Sequence, residues 1–224
     1  MKNNFLNLNS EKILFDNFNP FAFTALKNDA VEQVKNHENY MHMRNGDLVS
    51  MFQEDIDQDL CFAQLTKSKK IVETEILSLA YKYLENNVDI MKKITYNGDI
   101  FNLNEYELFF EKTWINYQRP GEFIPIHRHS GVLSFVVWIQ IPYILDLETD
   151  HRTYSVSKDA VGHFELIYSS AFGEIKNMLI PADKNYEGKI LMFPAETLHQ
   201  VYPYYGDDIR ITYSGNLRVR KHAN

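Results

Sequence analysis

Eight histidines are present, and two of them stand two residues apart: His127 and His129, around Arg128. They close a strand-like stretch, Phe123 to His129. Residues i and i+2 of a strand point to the same face, so both imidazoles can reach one divalent metal ion. A third ligand must then come from elsewhere in the chain, and His199, in Thr197-Leu198-His199-Gln200-Val201-Tyr202-Pro203, is the best placed. The pair taken alone is equally well explained by two polar residues on a solvated strand. His37, His42, His151, His163 and His222 have no such company and read as surface or capping residues.

The last strand carries a second pattern. Arg210, Thr212, Ser214 and Asn216 alternate with Ile211, Tyr213 and Leu217. If the polar face lines an interior, the guanidinium needs a partner, because an unpaired buried charge is very costly. A small carboxylate suits it, since the planar fork meets two oxygens at once. Thr212 and Ser214 could add hydroxyl donors. Earlier in the chain Trp114, Asn116 and Gln118 share parity, so Asn116 and Gln118 could line the same cavity. A solvent-facing edge strand would give the same pattern.

The elements that must position these residues divide the chain near Tyr96. Residues 1–65 read as irregular, with a short helix within Asp29 to Arg44. A long helix is expected over about 68–94, where Ile71, Ile76, Leu79, Ala80, Tyr83, Leu84, Val88 and Met91 recur at mostly helical spacing. Strands follow: Leu108 to Tyr117, Phe123 to His129, the nearly continuous apolar run Val132 to Ile141, Lys189 to Phe193, Thr197 to Tyr202 and Arg210 to Leu217. Arg119-Pro120-Gly121 marks a turn. The stretch 146–186 reads as a polar insert with shorter strand candidates at Arg152 to Ser157, Phe164 to Tyr168 and Ile175 to Ile180. The expected fold is mainly β with an N-terminal α part: one domain over 1–224, in which residues 1–105 pack on a sandwich or barrel over 106–217.

In order, the motifs are W114-I-N-Y-Q-R-P-G-E-F-I-P-I-H-R-H-S-G, then G188-K-I-L-M-F-P-A-E-T-L-H-Q-V-Y-P, then R210-I-T-Y-S-G-N. This order resembles the Fe(II)/2-oxoglutarate-dependent oxygenases of the double-stranded β-helix (jelly-roll, cupin-like) fold. It is most similar to the small prolyl-hydroxylase-like oxygenases of phages and bacteria. The resemblance covers about residues 106–217. It implies Fe(II) as cofactor, 2-oxoglutarate as cosubstrate and O2 as oxidant, with release of succinate and CO2 and hydroxylation of a prime substrate. It implies His127 and His199 as iron ligands. Arg210, eleven residues after His199, takes the place of the residue that pairs the cosubstrate's far carboxylate. Thr212, Ser214, Asn116, Gln118 and Trp138 complete the expected cosubstrate site, with the Trp138 indole either a donor there or a core side chain.

The family's usual carboxylate ligand is replaced here by His129. One reading is a three-histidine site of His127, His129 and His199. The other takes His129-Ser130-Gly131 in the register of the aspartyl/asparaginyl hydroxylases, with two histidine ligands and His127 outside the set. Two other functions fit the residues: a three-histidine cupin-type metalloenzyme that does not use 2-oxoglutarate, and a non-catalytic binding or structural protein on the same fold. The prime substrate, whether protein, nucleotide or small molecule, is not legible.

Composition narrows the setting. The chain has 224 residues, 45% hydrophobic and 24% charged, which excludes a disordered or fibrous protein. A net charge of −7 argues against a duplex nucleic-acid partner. One cysteine, Cys61, excludes an internal disulfide and points to a reducing, cytoplasmic setting, the host cytoplasm if the protein is phage-encoded. The start, MKNNFLNLNSEK, lacks the apolar core of a secretory signal, and the longest uncharged run, Ser130 to Leu145, is too short to span a membrane. The long helix could pack on the barrel or on a second copy, so a homodimer is possible.

Overall fold

A computed structural model describes residues 5–8, 11–41, 62–63, 65–87, 105–148, 160–170 and 172–222. Its strands are β1 (Phe5–Leu8), β2 (Glu11–Asn17), β3 (Phe62–Ala63), β4 (Tyr106–Gln118), β5 (Ile124–His127), β6 (Leu133–Gln140), β7 (Phe164–Ser169), β8 (Ile175–Ile180), β9 (Lys189–Pro194), β10 (Leu198–Val201) and β11 (Arg210–Lys221). Two long helices, α1 (Pro20–Met41) and α2 (Lys69–Glu85), precede the main run of strands. The strands form a seven-stranded sheet, β1-β2-β9-β6-β11-β4-β3, and a four-stranded sheet, β5-β10-β7-β8. Every strand pairing is antiparallel. This is the expected jelly roll.

The larger sheet has a core on each face, and side-chain alternation decides which residue joins which. Phe135, Val137 and Ile139 of β6 join the helix-side core, with Leu14, Ile190, Met192, Ile211 and Tyr213. Val136 and Trp138 face the other way, with Ile13, Leu191 and Phe193, toward Phe164 and Leu166 of the smaller sheet. Seven of the eight β6 residues are therefore buried, which explains its unbroken apolar run.

Three expectations change. The described N-terminal residues are not irregular: β2 pairs with β9 in register, Leu14 opposite Met192, and so extends the larger sheet. The short polar helix is longer and earlier, Pro20–Met41. The long helix is Lys69–Glu85, and Asn86 and Asn87 end it with backbone bonds back to Tyr83 and Leu84. The expected Val88 and Met91 contacts lie outside the described residues, as does the strand candidate Arg152 to Ser157. The stretch 146–186 supplies β7 and β8, half of the smaller sheet.

Asp29 ties the two helices together. Its buried carboxylate, 2% exposed, accepts from the backbone N–H of Thr66, Lys67 and Ser68 at 2.9 Å each and from both hydroxyls, at 2.8 Å. An anion at the start of α2 also meets the positive end of its dipole. Burial acts to raise the Asp29 pKa, but these hydrogen bonds outweigh it and the group lies below its usual value. Asp29→Ala leaves the donors of Thr66, Lys67 and the buried Ser68 without their shared acceptor and should cost about 3 kcal/mol, read as a lower urea midpoint.

Candidate metal centre

Two short connections bring the histidines together. β10 lies beside β5 with His199 directly opposite His127. Beyond β5 the chain leaves the sheet, and the His129 N–H donates to the Ala195 carbonyl, 2.9 Å away, in the turn between β9 and β10. His129 is therefore not on the same strand as His127. The turn to β6, not strand alternation, brings its ring in. Gly131 makes that turn possible: its φ is +103°, and a Cβ there would stand 2.7 Å from the Leu217 carbonyl oxygen.

The rings of His127, His129 and His199 converge, with ligand nitrogens all within 4.8 Å of one another. Ring centroids are 4.0 Å apart for His127 and His199, 4.8 Å for His127 and His129, and 5.1 Å for His129 and His199. Nδ1 of His127 lies 2.8 Å from the Pro125 carbonyl, and Nδ1 of His199 lies 2.8 Å from that of Thr197. A carbonyl only accepts, so each Nδ1 holds the proton and each Nε2 keeps its lone pair, the form that ligates a metal. Burial holds His127 below its usual pKa. Burial first, then the neighbouring imidazoles, brings His129 down to about 4 and His199 to about 3. Three neutral imidazoles at neutral pH are a donor set that fits a divalent first-row metal.

The histidines face a cavity of about 210 Å³ between the two sheets. Its floor is the inner face of β4, β11 and β6, arranged in rows by register: Gln118 with Arg210, then Asn116 with Thr212 and Trp138, then Trp114 with Ser214 and Val136, then Lys112 with Asn216 and Ser134. All nine residues expected from sequence, His127, His129, His199, Arg210, Thr212, Ser214, Asn116, Gln118 and Trp138, line this one cavity. The edge-strand alternative for Asn116 and Gln118 is excluded, since they are only 6% and 3% exposed.

Arg210 sits at the deepest end, 2% exposed. Nε and Nη2 donate to Gln118 Oε1 at 3.0 and 2.5 Å, and Nη2 also to the Tyr202 carbonyl at 3.0 Å. Nη1 donates to Tyr143 Oη at 2.6 Å and to the Gly162 carbonyl at 3.2 Å. The stacked rings of Tyr143 and Tyr204 flank the guanidinium, with centroids 5.7 and 5.0 Å from its carbon. Its partners in these bonds are all neutral, so they satisfy its geometry and leave its charge. The sequence reading missed Tyr143 and Gly162, because nothing about their types or spacing marks them. It also missed Phe164 and Phe193, which pack on His199 with centroids 5.6 and 5.0 Å away. Trp138 meets Phe15, Phe164 and Tyr186 edge-on, so it is both core side chain and cavity wall.

Residues 112–216 match the model of a family described as "Putative 2OG-Fe(II) oxygenase". Over this stretch, just under half of the chain, the sequence matches the 2OG-Fe(II) oxygenases. No curated protein matches it in sequence. Among solved structures it is similar to AviO1 of Streptomyces viridochromogenes Tue57, at 12% identity over 90% of this chain and 87% of that one, TM-score 0.51. It is also similar to SnoK, a non-heme alpha-ketoglutarate-dependent carbocyclase from nogalamycin biosynthesis, at 9% identity over 95% and 80% of the chains, TM-score 0.51. The viral collagen prolyl hydroxylase of Paramecium bursaria Chlorella virus-1 gives 12% identity over 92% and 94%, TM-score 0.49. At these identities the likeness is one of fold. This oxygenase is thus a 2-oxoglutarate-dependent dioxygenase with Fe(II) as cofactor and O2 as co-substrate. Among the described residues no helix is long and apolar enough to cross a membrane.

The depressed histidines make a stability prediction. The unfolded chain protonates its imidazoles near 6.5 and the folded chain well below, so the unfolded state binds more protons in between. The metal-free protein should be most stable above pH 6.5 and lose stability as the pH falls from there. Melting curves from pH 7 to about 5 should fall less steeply for His199→Gln than for the unchanged protein.

Proposed function

We propose that His127, His129 and His199 together hold the iron, and that the protein hydroxylates a prime substrate. The convergence of three neutral imidazoles, two of them fixed by their own backbone carbonyls, carries this reading. It favours the three-histidine set over the two-histidine register. Iron bound there would supply the activation of O2. The protein's part is to hold three Nε2 lone pairs in place and to keep the site dry with Phe164, Phe193 and Trp138. Arg210 provides the only formal positive charge among the buried residues of the described cavity lining. Its charge draws the carboxylate of 2-oxoglutarate to the deep end, where the Thr212 hydroxyl and the Trp138 indole N–H can donate. Asn116 Nδ2 braces this wall by donating to Thr212 and Ser214, at 3.1 and 3.2 Å, and Gln118 holds the guanidinium. The single cysteine supports a cytoplasmic setting, and 1–224 is read as one domain.

Anaerobic titration with Fe(II) and 2-oxoglutarate should produce the weak visible charge-transfer band of the chelate. Metal binding without that band would favour a cupin-type enzyme that does not use 2-oxoglutarate. His199→Ala should abolish or strongly lower Fe(II) affinity; unchanged affinity would remove His199 from the set.

Arg210→Met should weaken 2-oxoglutarate binding by about 1.5–3 kcal/mol, the scale of a charged hydrogen bond, while metal affinity holds. Arg210→Lys keeps the charge but not the five-donor fork, so it should retain more cosubstrate affinity than Arg210→Met and still melt lower than the unchanged protein. Calorimetric titration and melting curves separate the two effects.

A further inference from the structure

A guanidinium carries five N–H groups, and in Arg210 all five are already used. They go to Gln118 Oε1, Tyr143 Oη and the carbonyls of Gly162 and Tyr202. Gln118 Oε1 accepts two of them, from Nε and from Nη2. Those two N–H groups form one edge of the fork, an edge that a carboxylate meets with two parallel bonds. A neutral amide oxygen of the protein itself therefore occupies the place of a carboxylate.

The four acceptors differ in how readily they can leave. The Gly162 and Tyr202 carbonyls belong to the main chain. Tyr143 Oη donates onward to the Gly162 carbonyl at 2.7 Å, and its ring is stacked on Tyr204. Gln118 instead reaches Arg210 through a rotatable side chain, whose Nε2 donates to the Glu122 carbonyl at 2.6 Å. Of the four, only Gln118 also lines the cavity. The next floor row, Asn116 with Thr212 and Trp138, leads directly to it. A ligand that enters the deep end meets Gln118 at the fork.

What can replace that amide follows from charge. Among the described residues no carboxylate bonds to Arg210. An incoming carboxylate brings the missing negative charge and a second oxygen, so that each N–H on the edge gains its own acceptor. Such charge-assisted bonds are roughly twice as strong as neutral ones. A neutral end brings no more than Gln118 already supplies.

We propose that Gln118 is the residue that sets cosubstrate specificity: its amide fills the Arg210 fork at rest and yields only to a carboxylate. The proposal rests on the oxygenase reading above. The affinity for 2-oxoglutarate is then lower than an open fork would give, because the binding-competent form is only a fraction of the protein.

The test uses the full chain with Zn(II) in place of iron, so that nothing turns over. 2-Oxoglutarate and 2-oxopentanoate, the same chain without the far carboxylate, are titrated by calorimetry. In Gln118→Ala the fork stands open. 2-Oxoglutarate should then bind about fivefold or more tighter than to the unchanged protein, while 2-oxopentanoate holds within about twofold. Gln118→Asn, one methylene shorter, withdraws the amide but keeps the site polar, and carries the same expectation if the alanine variant folds poorly. Gln118→Glu ties a carboxylate into the fork and should weaken 2-oxoglutarate at least about tenfold. In the unchanged protein, NMR should show the Gln118 side-chain amide and the Arg210 Nε–H moving together on addition of 2-oxoglutarate, and neither moving with 2-oxopentanoate. A Gln118 that only braces the guanidinium gives the opposite sign, weaker 2-oxoglutarate binding in both shortened variants. That result, equal gains for the two keto acids, or a Gln118 amide that stays in place when 2-oxoglutarate binds would overturn the proposal while leaving the oxygenase reading intact. An unchanged protein that binds neither Zn(II) nor 2-oxoglutarate would overturn both.

Discussion

Strand β11 is hydrogen-bonded on both sides, to β4 and to β6, and its two faces must satisfy opposite demands. Toward the helices Ile211, Tyr213 and Leu217 are buried in an apolar core. Toward the cavity stand Arg210, Thr212, Ser214 and Asn216. A slip of one residue would send the guanidinium into the helix-side core and the apolar residues into the cavity. Burial on both faces therefore locks the register, and the register in turn places each polar residue beside its partner on β4: Gln118 beside Arg210, Asn116 beside Thr212. The smaller sheet adds His127 and His199 by the same rule, because Phe164 and Leu166 face inward with His199 and Val201. The chemistry of the site thus depends on a packing constraint set largely by residues that never touch a ligand.

That constraint explains which parts were legible in the sequence. Period-2 alternation is a local signal, and it exposed the polar face of β11, the parity of Asn116 with Gln118 and the doubly buried β6. His129 was assigned to the right cluster by an incomplete route. It sits beyond the end of β5, and only the turn at Gly131 and the bond to Ala195 carry its ring to the others. The partners of Arg210 were invisible, because Tyr143 and Gly162 reach it from segments far along the chain and a carbonyl acceptor has no residue-type signature. The N-terminal strands were missed for a related reason. Residues 1–65 are rich in Asn and lack clean alternation, and β2 is a strand because β9 offers it an edge.

The matched stretch, 112–216, contains His127, His129, His199 and Arg210. The proposed three-histidine set is physically coherent with its surroundings. A third imidazole sits in a pocket that already holds one uncompensated guanidinium, and each imidazole stays uncharged when buried. A carboxylate in its place would put a formal negative charge into a cavity lining that has none among the described residues. The chain's net charge of −7 therefore says little about its interior, where the buried cavity lining carries a positive charge and no formal negative one.

The five-point seating of Arg210 has a consequence for how such chains diverge. A residue that only holds a ligand is free to drift once the ligand is no longer used. Arg210 also closes the deep end of the barrel, joining β4 through Gln118 to the segments of Tyr143, Gly162 and Tyr202. On the proposed function it would serve both binding and folding, whereas the histidines would serve mainly binding. A descendant that had lost its chemistry would keep its arginine long after its histidines had changed, so the arginine alone is weak testimony to activity and the histidines are the better witnesses.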